Sequence, residues 1–353
     1  MNENVEASKL EDMRKSIVVS SRVRLARNLE DYNFPNKLEA NEAKDIISKV
    51  KESLDGYDIN FNAVIMAEAD MLYKEYLLEN HLISKEMSEE TKGAVFINEQ
   101  NTLSIMVNEE DHLRIQALLP GLHMDNAYEM CDKLDDLLEK NLRYAFRENL
   151  GYLTSCPTNL GTGMRASVMV HLPALVEMGF ITPILENATQ IGLAVRGLYG
   201  EGTQFIGSLF QVSNQLTLGF KEEEIVNSIM GITRQIIEKE IEAERILVSK
   251  LGIVLQDRIS RCLGILATSR VMKINESMNY LSKIKLGIRL GWITGISDEE
   301  INRLMIKVQP GNQIIDYKAK SQEQIDTGRA NLLRTIFFFV YFGISFLLLR
   351  LPQ

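Results

Sequence analysis

The spacing of apolar residues divides the chain into a mixed first part and a helical second part. Positions 41–55 place Ile46, Ile47, Val50 and Leu54 on one face of a 3.6-residue period, which predicts a helix capped by Asn41. Short apolar or alternating runs at 63–67, 93–98 and 102–108 predict strands, the last two joined as an antiparallel hairpin by Glu99-Gln100-Asn101. A short helix is expected at 70–80, a further apolar stretch at 112–119, and a long amphipathic helix at 125–147 with Met130, Leu134, Leu137, Leu138 and Leu142 inward. Strands are then expected at 153–156, 166–172, 193–196 and 209–212. From about 221 to 308 the pattern is nearly all helical, with Ile225, Ile229, Ile232, Ile236 and Ile237 opening an apolar stripe. The pattern predicts an α+β fold: an antiparallel-sheet domain flanked by helices, then an all-helical domain, divided near 218–221.

Composition adds limits. The 353 residues suit about two domains at roughly 150 residues each. The expected divisions are a frayed N-terminus at 1–15, a first domain at 16–220, a helical domain at 221–334 and an apolar tail at 335–353. Thr335 to Leu349 carries no charge and lies between Arg334 and Arg350; it is shorter than the ~20 apolar residues a membrane span needs. It reads as a buried or adhesive helix, so membrane attachment is not expected.

Lys and Arg total 39 against 48 Asp and Glu, a net charge of −9. That argues against direct nucleic-acid binding, which needs a basic footprint, but leaves room for a local basic pocket. Cys131, Cys156 and Cys262 have no paired spacing, so neither a disulfide framework nor a zinc site is implied. His81, His112, His123 and His171 form no metal-ligand pair. The opening Met1-Asn2-Glu3-Asn4 has no apolar signal segment, so a cytoplasmic location is expected. The helical stripes suggest a homo-oligomer, a dimer or larger.

The common nucleotide and hydrolase signatures G-x-x-x-x-G-K-[ST], G-x-G-x-x-G after a strand, and G-x-S-x-G are missing. What remains is arginine at turns and strand ends: Arg22, Arg24, Arg114, Arg165 and Arg196. Singly, each reads as a surface or salt-bridging residue. Together they suit a polyanion such as a triphosphate, which planar guanidinium donors grip bidentately. The same segments supply Glu110 and Glu201, which could hold a cationic guanidinium.

The runs Ser20-Ser21-Arg22-Val23-Arg24, Asn108-Glu109-Glu110-Asp111-His112-Leu113-Arg114, Cys156-Pro157-Thr158-Asn159-Leu160-Gly161-Thr162 and Arg165-Ala166-Ser167-Val168 resemble, in this order, the phosphagen (guanidino) kinase catalytic domain. The resemblance covers roughly 16–220. The runs at 151–156 and 196–202 resemble the branch of that family that phosphorylates arginine side chains of proteins. The short lead before Ser20 and the helical region after the catalytic one fit that branch too.

The resemblance implies a transferase that moves the γ-phosphoryl group of ATP to protein arginine, with Mg²⁺ held by phosphates and water. It puts Ser20, Ser21, Arg22, Val23, Arg24, His81, Arg114, Arg165, Ala166, Ser167, Val168, Met169, Arg196, Gly197, Leu198, Tyr199, Gly200 and Glu201 around ATP. By itself His81 reads as a histidine at a helix end. Glu110 is the expected base, Glu201 the second anchor of the guanidinium, and Cys156 a tuning thiol. The branch's phosphoarginine-binding motif Arg-Asp-x-x-Arg-Ala aligns with 325–330, where Asp326, Arg329 and Ala330 are kept and Ile325 replaces the first arginine. Implied partners are a zinc-finger activator, a stress-gene repressor and a Clp protease. Kinase action on free arginine and a non-catalytic adaptor remain alternatives.

Overall fold

The computed structural model describes residues 11, 13–55, 57–190, 192–197 and 205–343. An eight-stranded sheet with the order β2-β3-β4-β5-β1-β8-β10-β9 organises the first part. Its strands are β1 (Val18–Arg27), β2 (Phe61–Ile65), β3 (Ala94–Asn98), β4 (Leu103–Val107), β5 (Leu113–Pro120), β8 (Met164–His171), β9 (Leu193–Gly197) and β10 (Leu209–Asn214). Every pairing is antiparallel. A separate hairpin joins β6 (Phe146–Arg147) to β7 (Gly151–Tyr152).

Register sorts the side chains, because alternate residues point to opposite faces. Val23 pairs with Ala117 and Ala166, and Leu25 with Ile115 and Met164; these belong to the buried core. Helices α1 (Ala40–Leu54) and α4 (Met124–Glu139) share that core through Ile46, Val50, Leu134 and Leu138. Arg22 and Arg24, one position out of phase with Val23 and Leu25, stand on the opposite face.

The first part also carries α2 (Met71–Glu79), α3 (Lys85–Glu89), α5 (Pro173–Glu177) and α6 (Ile181–Gln190). The second part is helical: α7 (Glu222–Thr268), α8 (Ile274–Arg289), α9 (Asp298–Lys307), α10 (Pro310–Tyr317) and α11 (Gln322–Tyr341). Gly252, at φ 36° and ψ −111°, breaks α7 into two helical stretches. Helix α11 buries Ala330, Leu333 and Phe337, so the uncharged segment starts inside a packed helix, while Phe338 and Tyr341 face outward. Residues 344–353 lie outside the described residues. Among the described residues no helix is long and apolar enough to cross a membrane.

Three expected elements differ. Helix α1 is capped by Glu39 in a capping box with Glu42, two residues before Asn41. Helix α4 stops at Glu139, not 147, because strand-like bonds capture the following chain: Glu30 N donates to Arg143 O and Ala145 N to Asn28 O, each tying it to the end of β1. Residues 153–156 form no strand. Leu153 N still donates to Ala145 O, but Ser155 N donates to Asp111 Oδ1 at 2.7 Å and Pro157 opens a 3-10 turn, so no ladder continues past Leu153.

A buried charged cluster fastens the sheet to the helices. Arg289 donates from Nε to Glu244 Oε1 at 2.6 Å, and its Nη2 lies 3.4 Å from Glu240 Oε1. Its Nη1 lies 3.3 Å from Nδ1 of His171, at the end of β8. Glu240 also accepts from Ala174 N at 2.8 Å and Leu175 N at 3.0 Å.

Candidate active site

The polar face of the sheet collects the sequence-predicted arginines. Arg24 on β1 sits directly opposite Arg165 on β8, and Arg22 opposite Ser167. Arg114 on β5 is opposite Ala26, two positions along β1 from Arg24. Arg196 on the edge strand β9 is opposite Gln211, which in turn is opposite Met169. Arg22 donates from Nη2 to Gln211 Oε1 at 2.7 Å and from Nε to Ser167 Oγ at 3.4 Å.

Among the described residues Arg22, Arg24 and Arg165 form no ion pair, whereas Arg114 is paired with Glu109 and Glu110. The Nε atoms of Arg24 and Arg165 are buried without a hydrogen-bond partner. Burial, followed by the charges of Arg114 and Arg165, pushes the Arg22 guanidinium down to about 10. Burial and the neighbouring arginines push Arg24 the same way, against a weaker pull from Glu109. Guanidinium groups stay protonated, so the crowding measures a positive field that a polyphosphate would relieve. Burial first, and then Arg22, holds His81 near 4, so its ring is neutral around pH 7. His81 adopts φ 59° just after α2, and its carbonyl accepts from Gln116 Nε2 at 2.7 Å. A small cavity there is lined by Ser20, Arg22, His81, Leu118, Ser167, Met169 and Gln211.

At the other end of this face, residues 108–112 form a closed turn before β5. Asn108 N donates to His112 O and Glu109 N to Asp111 O. Asp111 accepts from Asn28 Nδ2 at 2.6 Å, which fixes the turn against β1. The turn aims two carboxylates at Arg114: Glu109 at 2.8 Å with its side chain 1% exposed, and Glu110 at 3.1 Å with its side chain 40% exposed. Burial, outweighing the pull of Arg114, raises the Glu110 carboxyl above its ordinary value; Asp111 and Glu109 add to the rise. Glu110 is thus accessible and more basic than a free carboxylate, as proton abstraction requires. Arg165 is within electrostatic reach of Arg114, Cys156, Arg196 and Glu110, so the fold brings all of these together. Cys156 is partly exposed, with Sγ 3.0 Å from Thr158 Oγ1.

Other predicted residues fall elsewhere. Val23, Ala166 and Val168 point into the core, and Ser21 Oγ donates to Gly121 O at 2.9 Å on that same side; only their backbones border the arginine face. Gly197 ends β9. Leu198, Tyr199, Gly200 and Glu201 lie outside the described residues. Asp326, Arg329 and Ala330 are far along the chain in α11, where they close the helical domain. Arg329 donates from Nη1 to Asp326 Oδ1 at 2.6 Å and to Met272 O at 2.8 Å, and from Nε to Val308 O at 2.6 Å.

Sequence reasoning passed over Glu109. Its Oε1 accepts from both Arg114 and Ser84 Oγ, while Oε2 is buried without a partner. Glu109 holds Arg114 independently of Glu110. Glu109→Gln is expected to lower kcat/KM on the order of tenfold, the worth of a hydrogen bond to a charged group. It also removes a charge that raises Glu110, so the acid limb of the pH–rate profile should move to lower pH. An unmoved limb would separate Glu109 from Glu110.

Comparison with known proteins covers most of the chain. The model of a family described as ATP:guanido phosphotransferase, C-terminal catalytic domain, matches residues 42–243. One described as protein-arginine kinase McsB C-terminal domain matches residues 252–340. A protein-arginine kinase of Caldanaerobacter subterraneus subsp. tengcongensis is 46% identical over 303 residues, covering 84% of this chain and 90% of that protein. One of Brevibacillus brevis is 45% identical over 326 residues, covering 90% of this chain and 91% of that protein. Among solved structures, a lombricine kinase superposes with a TM-score of 0.58 at 24% identity, over 65% of this chain and 68% of that one.

Proposed function

The chain belongs to the ATP:guanido phosphotransferase family, among its protein-arginine kinases, and on that premise we propose how its own residues transfer the γ-phosphoryl group of ATP to protein arginine. The observation that carries the assignment of the site is the arginine face beside Glu110, where the Nε atoms of Arg24 and Arg165 are buried without a partner. Arg22, Arg24, Arg114, Arg165 and Arg196 hold the phosphates, with His81 toward the nucleotide. Phosphoryl transfer passes through a loose transition state, so fixed cations supply positioning and charge neutralisation together.

Mg²⁺ would be held by the phosphates of ATP and by water. A face built of guanidinium groups offers no direct ligands to a cation, and among the described residues no group of three His, Cys, Asp or Glu could hold a metal ion. Bound there, it would neutralise phosphate charge.

The acceptor guanidinium is a poor nucleophile while protonated. Glu110 orients it and takes a proton from the attacking nitrogen as the P–N bond forms and the bond to the ADP oxygen breaks. Glu201 is proposed as the second anchor and Cys156 as a neighbour that tunes the site. The activator, repressor and protease partners, and a homo-oligomeric state, rest on the family resemblance.

The test is phosphoarginine detection under non-acidic conditions, with ATP, Mg²⁺ and a casein-like protein. Phosphoarginine is the expected product. Phosphate only on Ser, Thr or Tyr would overturn the reading.

A further inference from the structure

We propose that an exposed apolar surface around the Cys156 loop docks the polypeptide on either side of the target arginine and favours substrates with apolar residues there. The proposal rests on the protein-arginine kinase reading above. Its centre is the segment that leaves β10. Asn214 pins this segment to the start of β8: its Nδ2 donates to Met164 O and Leu216 O, both at 3.0 Å, and its Oδ1 accepts from Ala166 N at 2.9 Å. Residue 216 therefore sits at the level of Arg165, at the Glu110 end of the arginine face.

Thr217 turns inward. Its Oγ1 donates to Leu160 O at 2.6 Å and lies 3.1 Å from Thr158 O, and Thr158 in turn contacts Cys156. Its neighbours turn outward: Leu216 is 57% exposed and Leu218 50%. The Leu218 backbone packs on Gly161, where a Cβ would come within 2.7 Å of Leu218 Cα. Gly161 O accepts from Tyr152 N at 2.8 Å, and the Tyr152 ring meets the exposed Phe146 ring at 5.2 Å. Leu216 and Leu218 thus flank the segment that carries Cys156, and Phe146 is linked to it through Tyr152 and Gly161, on a backbone held by hydrogen bonds.

Water-facing apolar side chains fixed in this way mark an interaction surface. The occupant follows from position. An arginine held between Glu110 and Cys156 is part of a chain that advances about 3.3 Å per residue. Its immediate neighbours must then lie against this border.

The experiment compares two short peptides that differ only in Leu or Ser beside the arginine. The unaltered enzyme is expected to favour the Leu peptide roughly tenfold in kcat/KM, as burial of a few apolar groups allows. Leu216→Ser with Leu218→Ser should abolish that preference and leave the Ser peptide and the KM for ATP unchanged. Leu216→Ser alone repeats the test without touching the Gly161 contact and should reduce the preference. No preference in the unaltered enzyme, or a preference that survives both substitutions, would overturn the proposal. So would a dimer that dissociates on substitution while the preference persists, since the surface would then join two copies. Absence of phosphoarginine on either peptide and on casein would instead sink the kinase reading itself.

Discussion

Glu110→Gln is expected to reduce phosphoarginine formation by about 10²–10⁴-fold, the usual contribution of a positioned base, with little change in Mg–ATP affinity. Glutamine keeps the shape and can still accept a hydrogen bond, but it cannot take the proton. In the proposed site the phosphates fall to arginines on several strands, and Arg114 keeps its buried partner Glu109. The pH dependence separates this role from a structural one. Burial raises the Glu110 carboxyl, so the parent should lose activity as the pH falls, along a limb above the ordinary carboxylate range. The variant should keep its residual rate across that limb. A loss under tenfold, or a limb that persists, would move the proton to another group, with Glu201 the next to test.

How much of this could be read beforehand depended on what each residue needed. Most outer strands were legible as short apolar runs, whereas the central strand β1 was not assigned, because Ser20, Ser21, Arg22 and Arg24 interrupt its apolar positions. Helix α4 overran in the reading because Leu142 continues the helical stripe, whereas bonds to Asn28 and Glu30 take the chain away. No local pattern could report a partner more than a hundred residues distant. The 153–156 segment failed similarly: it satisfies its backbone through Asp111. Glu109 and Glu110 are chemically identical neighbours in the sequence. Only the turn at 108–112 buries one behind Arg114 and leaves the other open. Arg329 matches a binding motif by letter; the fold adds what no local pattern reports, that Nε and Nη1 bond to Asp326 and two carbonyls while Nη2 is buried without a partner.

Arg289→Met should be the most destabilising single change in the helical domain. The guanidinium is fully buried and faces Glu244, Glu240 and His171, so methionine fills the space but leaves two carboxylates without their cation. Removing one partner of a buried ion pair costs about 3–5 kcal/mol. At about 2 °C per kcal/mol for a chain of this size, the melting temperature should fall roughly 6–10 °C. Burial already pushes Glu240 up to about 8, opposed by Arg289 and the amides of Ala174 and Leu175. Without Arg289 that opposition weakens, and the carboxyl should hold its proton to higher pH. A carboxyl with a raised value in the folded state binds more protons folded than unfolded, so its stability is lost as the pH rises. The variant should therefore fall further behind the parent as the pH rises through 8, melting closer to it at pH 6 than at pH 9. Adding Glu244→Leu should recover part of the loss, because the unpaired charge, not the missing bond, carries most of the penalty. Equal deficits at both pH values would show that Arg289 acts through packing alone.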